Sequence, residues 1–204
     1  MSWAVWRHPK PRGAVGRCIG RTDLSVDRRK AKRLAHRVRT WARRHHAPRV
    51  VTTSTLRRAA DVGRWLARWG WTHRIDARLD ELDFGAWDGR PWTEIGAAAI
   101  DAWCTEFAAH APGGGESVAM LLQRCAAFLQ EAPGCVVSHA GWISAAGWQR
   151  GEHDAEPSAA QWPAAVGYGE LKVWPDPAAS ASSRAGSACS SPTARRAPYR
   201  PTSR

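Results

Sequence analysis

The sequence predicts an α/β fold with an open sheet, and three observations support that class. At 204 residues the chain has the length of one domain. Short runs of strand-forming residues, such as 2–6 and 135–138, alternate with longer segments whose apolar residues follow helical spacing. Polar residues follow directly after several of the strand-like runs. Open α/β sheets carry their chemistry at the carboxyl ends of their strands, so functional side chains are expected at these strand ends.

The first predicted strand, residues 2–6, is followed by Arg7, His8 and Pro9. Pro9 has no N–H to continue a sheet ladder, so Arg7 and His8 are expected at the strand's C-terminal end. An arginine beside a histidine suits a phosphate group, because the guanidinium fork binds two oxygens while a ring nitrogen approaches phosphorus. Taken alone, such a pair is more often a solvated sheet edge. The Gly- and Arg-rich residues 11–22 predict a loop that can fold over a ligand.

The first predicted helix carries much of the positive charge of the chain's first half. Ser25 is the expected N-cap. Apolar residues recur at helical spacing while arginines and lysines cover the opposite face, which predicts a packing element with a solvated basic side. The apolar positions are Ala31, Leu34, Ala35, Val38, Trp41 and Ala42.

The second predicted strand, residues 49–53, leads into Ser54 and then a helix that extends to Trp69. Arg57 and Arg58 lie near the start of that helix, where the N-terminus attracts an anion. Both are therefore candidates for anion contacts, although an ordinary exposed helix arginine is an equally good interpretation of Arg57.

An acidic segment follows a short third strand at residues 72–76. Residues 80–89 place four carboxylates, including Glu81, around Phe84, Trp87 and two glycines. Partial burial beside aromatic rings suits a carboxyl group to donate a proton. The alternative is that these acidic residues only balance the charge of the basic first half.

The rest of the chain is predicted to contain helices, strands and a tail. Residues 92–107 and 118–129 have helical patterns, residues 135–138 and 169–174 have strand patterns, and residues 176–204 form a disordered basic tail rich in Ala, Ser, Pro and Arg. A Gly-rich turn before the second helix presents Glu116. The 135–138 strand ends in His139, so a second strand delivers a histidine at its C-terminal end.

Charge is unevenly distributed along the chain, whose formal net charge is +12. Residues 1–80 carry 21 Lys and Arg against 5 Asp and Glu, whereas residues 81–175 carry 4 against 12. A basic first half suits an anionic ligand, either nucleic acid or a small phosphate ester. No nucleic-acid-binding motif accompanies the charge, and the basic helix has a regular apolar stripe, so specific nucleic-acid binding is not expected.

Several other classes of site are disfavoured by the composition. Five scattered cysteines without a Cys-x-x-Cys pair indicate reduced thiols in a cytoplasmic protein. The first twenty residues contain no long apolar core and no later run has membrane-spanning length, so neither a signal peptide nor a membrane segment is predicted. His45, His46 and residues 152–154 lack partners at metal-ligand spacing, so no metal or other cofactor is expected.

Four short motifs occur in the order and spacing found in a known family. They are Arg7-His8, Ser54-Thr55-Leu56-Arg57-Arg58-Ala59, Glu81-Leu82-Asp83-Phe84-Gly85-Ala86-Trp87-Asp88-Gly89 and Ser138-His139-Ala140-Gly141. Over residues 1–175 the chain resembles the histidine phosphatase superfamily, with Thr55 in place of proline, Asp88 in place of glutamate and Ala140 in place of glycine. The resemblance implies a phosphoglycerate-mutase-like fold, a three-layer α/β/α sandwich with a mostly parallel central sheet.

The same resemblance implies a metal-independent phosphomonoesterase and assigns roles to five residues. His8 would be the nucleophile that takes the phosphoryl group as a phosphohistidine. Arg7, Arg58 and His139 would hold the phosphate oxygens. Glu81 would protonate the leaving alcohol and then deprotonate the water that hydrolyses the phosphoenzyme. A neutral imidazole is a competent nucleophile at neutral pH, which agrees with the role of His8.

The loop Ile19-Gly20-Arg21-Thr22-Asp23 is similar to the Tyr-Gly-Arg-Thr-Asp segment of the α-ribazole phosphatase branch, which acts in cobalamin biosynthesis. Lys10, Gly20, Arg21 and Ala140 are the expected substrate contacts. The chain lacks the Arg-His-Gly-Glu-Ser/Thr opening of the mutases, so a phosphatase is favoured. Two alternatives stay open: a phosphatase of another small phosphate ester, and a non-catalytic binding protein that keeps the fold.

Overall fold

Five short strands and six α-helices alternate through the part of the chain that the computed structural model describes, residues 3–131, 134–151, 153 and 155–174. The strands are β1 (Trp3–Arg7), β2 (Val50–Thr53), β3 (Thr72–Ile75), β4 (Cys135–Ser138) and β5 (Leu171–Trp174). The helices are α1 (Arg28–Arg44), α2 (Arg57–Ala67), α3 (Trp92–Ile95), α4 (Ala97–Thr105), α5 (Val118–Leu129) and α6 (Ala140–Trp148). Three short 3₁₀ turns lie in the connections: Ala77–Leu79, Gly85–Trp87 and Pro112–Gly114.

The strands form one sheet in the order β3-β2-β4-β1-β5. The first four strands of that order are parallel, and β5 is antiparallel to β1. The register pairs Arg7 with Ser138 across the central strands. Because parallel strands end at the same edge of a sheet, the residues that follow β1, β2 and β4 meet there, namely His8, Ser54 and His139. The strand ends singled out in the sequence therefore converge.

Helices cover both faces of the sheet. On one face α1 and α2 pack apolar residues such as Leu34 and Val38 against the strands, and every apolar position of α1 that was predicted for the core is buried. On the other face α5 and α6 contribute Leu121, Phe128 and Trp142 to a second core layer. The predicted three-layer α/β/α sandwich with a mostly parallel central sheet is confirmed.

The N-cap of α1 is Asp27, so the prediction of Ser25 is wrong. The carboxylate of Asp27 accepts hydrogen bonds from the N–H groups of Arg29 at 2.9 Å and Lys30 at 3.1 Å. These are two of the N–H groups at a helix start that have no partner within the helix. Ser25 lies two residues too early for this geometry, and its carbonyl accepts instead from the N–H of Arg12.

The single helix predicted over residues 92–107 is also wrong, because α3 and α4 replace it. Gly96 separates them with a φ of +86°, a left-handed conformation that interrupts a right-handed helix and that glycine adopts at little cost. The tail predicted for residues 176–204 lies outside the described residues. None of the helices in the described ranges combines the length and the apolar character needed to cross a membrane.

Candidate active site

A cavity of about 340 Å³ opens where β1 and β4 end, and its wall has a polar part and an aromatic part. The polar part comprises Arg7, His8, Arg58 and Glu81. The aromatic part comprises Phe84, Trp92, Trp103, Phe107 and Trp162, and these rings contact one another in a continuous chain. The structure thus brings together four of the five predicted catalytic residues on one wall.

His8 is buried, and one hydrogen bond selects the tautomer of its ring. Its Nδ1 lies 2.8 Å from the carbonyl oxygen of Pro9. A carbonyl oxygen only accepts, so Nδ1 carries the proton and Nε2 keeps its lone pair. Nε2 has no hydrogen-bond partner among the described residues. Burial, reinforced by the positive charges of Arg58 and Arg7, holds the pKa of His8 well below its ordinary value of 6.5. The ring is therefore neutral at physiological pH, with a free lone pair.

His139 lies beside His8, with 4.9 Å between the ring centroids. Its Nδ1 accepts a hydrogen bond from Nε of Arg58 at 3.2 Å, so the ring proton is on Nε2, which donates to Oγ of Ser54 at 2.7 Å. Burial and the charge of Arg58 lower the pKa of His139 well below 6.5. Both ring nitrogens make hydrogen bonds to other residues of the protein. His139 therefore orients Arg58 and does not itself line the cavity.

Arg58 is almost fully buried in the first turn of α2, and neutral groups hold its guanidinium. Nη1 donates to the carbonyl of Thr22 at 2.8 Å and Nη2 to that of Gly20 at 2.5 Å, while Nε donates to His139. None of these partners carries a negative charge, so the positive charge of Arg58 is available to an anion in the cavity. The neighbouring Arg57 is exposed and does not line the cavity.

Asp88 fixes the loop that supplies those two carbonyls. Its carboxylate accepts hydrogen bonds from the backbone N–H groups of Gly20, Arg21 and Thr22, at 2.9, 2.5 and 2.7 Å. Oγ1 of Thr22 also donates to it, at 2.8 Å. Consecutive backbone N–H groups that surround one anion form a nest. Asp88 therefore positions Arg58 through the loop, a role that the sequence motif did not reveal.

Arg7 reaches the cavity from the end of β1 and is likewise held by uncharged groups. Its Nη1 donates to the carbonyl of Val166 at 2.6 Å, and its guanidinium lies 3.8 Å from the centroid of the Tyr168 ring, a cation–π contact. Neither Val166 nor Tyr168 was predicted as a site residue. The irregular segment before β5 contains no motif or periodic pattern that marks them.

Glu81 is 8% exposed on the cavity wall, and two backbone N–H groups orient its carboxylate. Leu82 donates to Oε1 at 3.1 Å and Gly141 donates to Oε2 at 3.2 Å. Any side-chain carbon at position 141 would overlap this carboxylate, which explains the glycine there. A carboxyl group held in this way can exchange a proton with a ligand or a water in the cavity.

The four predicted substrate contacts occupy different environments. Ala140 lines the cavity. Lys10 is exposed and lies outside the cavity lining. Gly20 and Arg21 also lie outside it, because their backbone N–H groups are tied to Asp88 in the loop described above. Of the four, only Ala140 lines the cavity, and the substrate contacts of the other three stay predictions.

Thiols are poor alternative nucleophiles in this site. Burial raises the pKa of Cys125 and Cys135 to about 12, and burial together with nearby carboxylates raises that of Cys18 to about 12. These thiols are therefore protonated at neutral pH.

Within the described ranges no group of three or more His, Cys, Asp or Glu side chains is arranged to hold a metal ion, and residues 152 and 154 lie outside those ranges.

Known proteins resemble this chain in both sequence and structure. Residues 4–158 match the model of the histidine phosphatase superfamily (branch 1). The α-ribazole phosphatase from Shigella flexneri is 24% identical, with 85% of this chain and 89% of that chain covered and a TM-score of 0.67. A mycobacterial glucosyl-3-phosphoglycerate phosphatase in complex with VO3 is 26% identical, with 84% and 90% covered and a TM-score of 0.67. A structure named mycobacterial hydrolase 1 is 27% identical, with 84% and 89% covered and a TM-score of 0.66. No curated protein sequence matches the chain significantly.

Proposed function

The chain belongs to the histidine phosphatase superfamily and is a phosphomonoesterase, and from this premise we propose that it works through a phosphohistidine on His8 without a metal ion. We further propose that its substrate is α-ribazole 5'-phosphate, an intermediate of cobalamin biosynthesis. The observation that carries the mechanism is the neutral ring of His8, which lines a cavity with Arg7 and Arg58 and whose Nε2 has no hydrogen-bond partner within the described part of the chain.

In the first half-reaction Nε2 of His8 attacks phosphorus, and a P–N bond forms as the bond from phosphorus to the ester oxygen breaks. Arg7 and Arg58 hold the non-bridging oxygens, whose charge is met by cations already in position. Glu81, in its protonated form, gives its proton to the leaving oxygen, so the alcohol departs neutral. The products of this step are the alcohol, the phosphohistidine and the carboxylate of Glu81.

In the second half-reaction Glu81 takes a proton from a water molecule, whose oxygen attacks the phosphorus of the phosphohistidine. The P–N bond breaks, its electron pair returns to Nε2 of His8, and inorganic phosphate is released. The carboxyl group regains the proton that it gave in the first step. One residue therefore serves both half-reactions, and the enzyme returns to its starting state.

His139 acts in this scheme through Arg58. Its Nδ1 accepts from Arg58 and its Nε2 donates to Ser54, so the ring has no free N–H for a phosphate oxygen in the described structure. The prediction that His139 binds the phosphate directly stays a prediction. Its neutral ring orients the guanidinium without removing the positive charge that the phosphate needs.

The aromatic part of the cavity wall favours a leaving alcohol with a flat apolar group. The benzimidazole ring of α-ribazole would pack against side chains such as Trp92, Trp103 and Trp162. A sugar with a carboxylate, as in glucosyl-3-phosphoglycerate, requires polar partners instead. Outside the polar part described above, Arg17 is the single charged residue among the described residues that line the cavity. This composition supports the α-ribazole ester over the more polar substrate.

The proposal is tested by phosphate release from p-nitrophenyl phosphate and from α-ribazole 5'-phosphate, with a chelator present, for the native chain and for His8→Ala. We expect activity that survives the chelator, is lost in His8→Ala, and has the higher kcat/KM on α-ribazole 5'-phosphate. Arg33→Ala is the control, because Arg33 is an exposed residue of α1 and does not line the cavity. Normal turnover by folded His8→Ala would reject the covalent mechanism, and loss of activity with chelator would reject metal independence.

The substrate assignment is tested separately from the chemistry. A preference for glucosyl-3-phosphoglycerate or another polar ester would reject α-ribazole 5'-phosphate while leaving the mechanism intact. Phosphate binding without turnover of any ester would favour a non-catalytic protein that keeps the fold.

We place the enzyme in the cytoplasm, because Cys18, Cys104, Cys125 and Cys135 are free thiols.

A further inference from the structure

Glu81 lies in an irregular stretch of backbone, residues 80–84, that follows the 3₁₀ turn Ala77–Leu79. Backbone carbonyls in such a stretch have no helix or sheet ladder to pair with, so they need partners from other parts of the protein. The position of the Glu81 carboxylate therefore depends on whichever groups hold this stretch.

Arg124 on α5 is the main group that holds it. Nη1 donates to the carbonyl of Arg78 at 2.8 Å and to that of Asp80 at 2.7 Å, and Nη2 donates to the carbonyl of Glu81 at 3.1 Å. Nε and Nη2 also bind the two carboxylate oxygens of Glu116, at 2.6 and 2.9 Å. All five N–H groups of the guanidinium are therefore in use, and a lysine could not replace this planar fork.

Glu116 holds the same stretch from its other end. Its N–H donates to the carbonyl of Asp83 at 2.8 Å, and the N–H of Asp83 donates to its carboxylate at 3.3 Å. Glu116 directly precedes Ser117, the N-cap of α5, so both members of the pair are attached to one helix. The side chains of Arg124 and Glu116 are only 16% and 10% exposed, and neither lines the cavity.

We propose that Arg124 and Glu116 are positioning residues that hold Glu81 where it can transfer a proton. This inference rests on the role of Glu81 under the proposed function. Glu116 neutralises the charge of Arg124, so this arginine fixes backbone and does not attract the phosphate. A misplacement of about 1 Å at a reacting group costs on the order of 10² in rate, so a loosened stretch has a measurable effect.

The proposal predicts a loss that depends on the leaving group. Loosening the stretch displaces Glu81 directly, while the backbone carbonyls that hold His8 and Arg58 lie outside residues 80–84. An aryl phosphate whose phenolate leaves without a proton would still phosphorylate His8. An alkyl phosphate would not, because its alkoxide must be protonated as it leaves. Hydrolysis of the phosphohistidine would slow for both esters, since the water has lost its base.

The experiment compares the full-length native chain with Glu81→Gln, Arg124→Gln, Glu116→Gln and Arg78→Gln. Arg78→Gln is the matched control, because its guanidinium also contacts α5, through the carbonyl of Ala127, but does not reach the carbonyls of residues 80 and 81. The substrates are p-nitrophenyl phosphate and a simple alkyl phosphate. The measurements are steady-state turnover, first-turnover nitrophenol release, and the fraction of phosphohistidine trapped under alkaline conditions.

We expect Arg124→Gln and Glu116→Gln to resemble a milder Glu81→Gln. Turnover of the alkyl ester should fall on the order of 10², while first-turnover nitrophenol release persists and phosphohistidine accumulates. Arg78→Gln should stay close to native. If Arg124→Gln does not fold, Glu116→Gln and Arg124→Lys decide the question by the same pattern.

An equal loss on both substrates without accumulation of phosphohistidine would overturn the positioning role and leave a purely structural one. The result also separates this inference from the proposed function. Failure of the native chain to form phosphohistidine, or undiminished turnover by Glu81→Gln, would reject the proposed function itself. A normal native chain and an impaired Glu81→Gln, combined with an unaffected Arg124→Gln, would reject only the positioning role.

Discussion

Two buried arginines near the site differ in the charge of the groups they bind. Arg58 donates to two backbone carbonyls and to the neutral ring of His139. Arg124 donates to three backbone carbonyls and also to the carboxylate of Glu116. Arg58 is 1% exposed and the side chain of Arg124 is 16% exposed, but the charge of their partners is the difference that accounts for their functions. Because its partners are neutral, the positive charge of Arg58 can bind an anion. Glu116 neutralises the charge of Arg124, whose other N–H groups hold backbone carbonyls in place.

The lysines and arginines of α1 differ from both of these arginines, because most of them are exposed. This helix contains nine Lys and Arg and no acidic residue, yet its basic side chains form no salt bridge within the described part of the chain. Most are exposed, and a few lie over Trp65 or Trp69 of the neighbouring helix region. They account for much of the net charge and none of them lines the cavity. Charge counted along the sequence therefore does not locate the site.

The largest loss of activity is expected when Arg58, the arginine with neutral partners, is replaced. Arg58→Ala should lower kcat/KM on the order of 10² to 10³, by analogy with the removal of one preorganised oxyanion donor. Arg58→Lys should recover little, since a lysine cannot donate to both loop carbonyls and present a planar fork to the phosphate. Steady-state kinetics with p-nitrophenyl phosphate measure both. A loss of less than tenfold in folded Arg58→Ala would show that Arg7 alone meets the charge of the phosphate.

A smaller loss of activity is expected when Arg58 is kept and Asp88, which holds the loop that binds Arg58, is replaced. Asp88→Asn removes the negative charge from the nest of three backbone N–H groups and brings an amide N–H towards them. We expect a loss of about 1–3 kcal/mol in the free energy of unfolding, typical of lost hydrogen bonds to a partly buried charged group. Because the loop also carries the carbonyls that hold Arg58, kcat/KM should fall as well, by on the order of tenfold.

Urea unfolding and steady-state kinetics of the same preparation test both parts of the Asp88 prediction. Asp61→Asn is the control, because Asp61 pairs with Arg64 on the surface of α2 and such pairs contribute little. Unchanged kcat/KM in a destabilised Asp88→Asn would mean that the loop stabilises the fold without positioning Arg58.

The burial of His8 and His139 beside Arg58 leads to a prediction about pH. Burial first, and Arg58 next, lower the pKa of His8 and His139 below 6.5 in the folded chain. Below about pH 6.5 the unfolded chain therefore binds more protons, so the free energy of unfolding falls as the pH falls. Each histidine contributes a slope of up to about 1.4 kcal/mol per pH unit. Urea unfolding between about pH 7.5 and pH 5 measures it.

The control for this pH dependence is His8→Asn, which lacks one of the rings whose pKa is lowered. Its slope below about pH 6.5 should be smaller than that of the native chain by up to about 1.4 kcal/mol per pH unit. Identical slopes would show that His8 titrates normally in the folded chain. The proposed neutral nucleophile would then lose its physical basis below neutral pH.

The sequence located the polar wall of the cavity, and the reason is local. His8, Arg58 and Glu81 each lie within a short motif, and parallel strands that end at one edge bring such motifs together. The aromatic wall was missed, because residues such as Trp103 and Trp162 are distant in the chain and meet only through tertiary packing. Short sequence patterns give no information about contacts between residues that are distant in the chain.

The roles of supporting side chains were missed for a related reason. Asp88 and Arg124 act on backbone N–H and carbonyl groups, and every residue type offers the same backbone groups. A sequence pattern therefore cannot name the partner. Gly20 and Arg21 were predicted to contact substrate, whereas their hydrogen bonds place them in the loop that holds Arg58.

The smallest effect is expected at the exposed arginines of α1. Arg29 and Arg33 are exposed, and their side chains have no hydrogen bond, ion pair or aromatic contact within the described part of the chain. The double variant Arg29→Gln, Arg33→Gln should keep kcat/KM within about twofold and stability within about 0.5 kcal/mol. Loss of a cation from the first turn of a helix favours the dipole, so any change in stability should be a slight gain. Kinetics and urea unfolding at low and moderate salt test this. A fall in kcat/KM that moderate salt abolishes would mean that the surface charge of α1 guides the anionic substrate to the cavity, so that exposed arginines contribute to activity as well as buried ones.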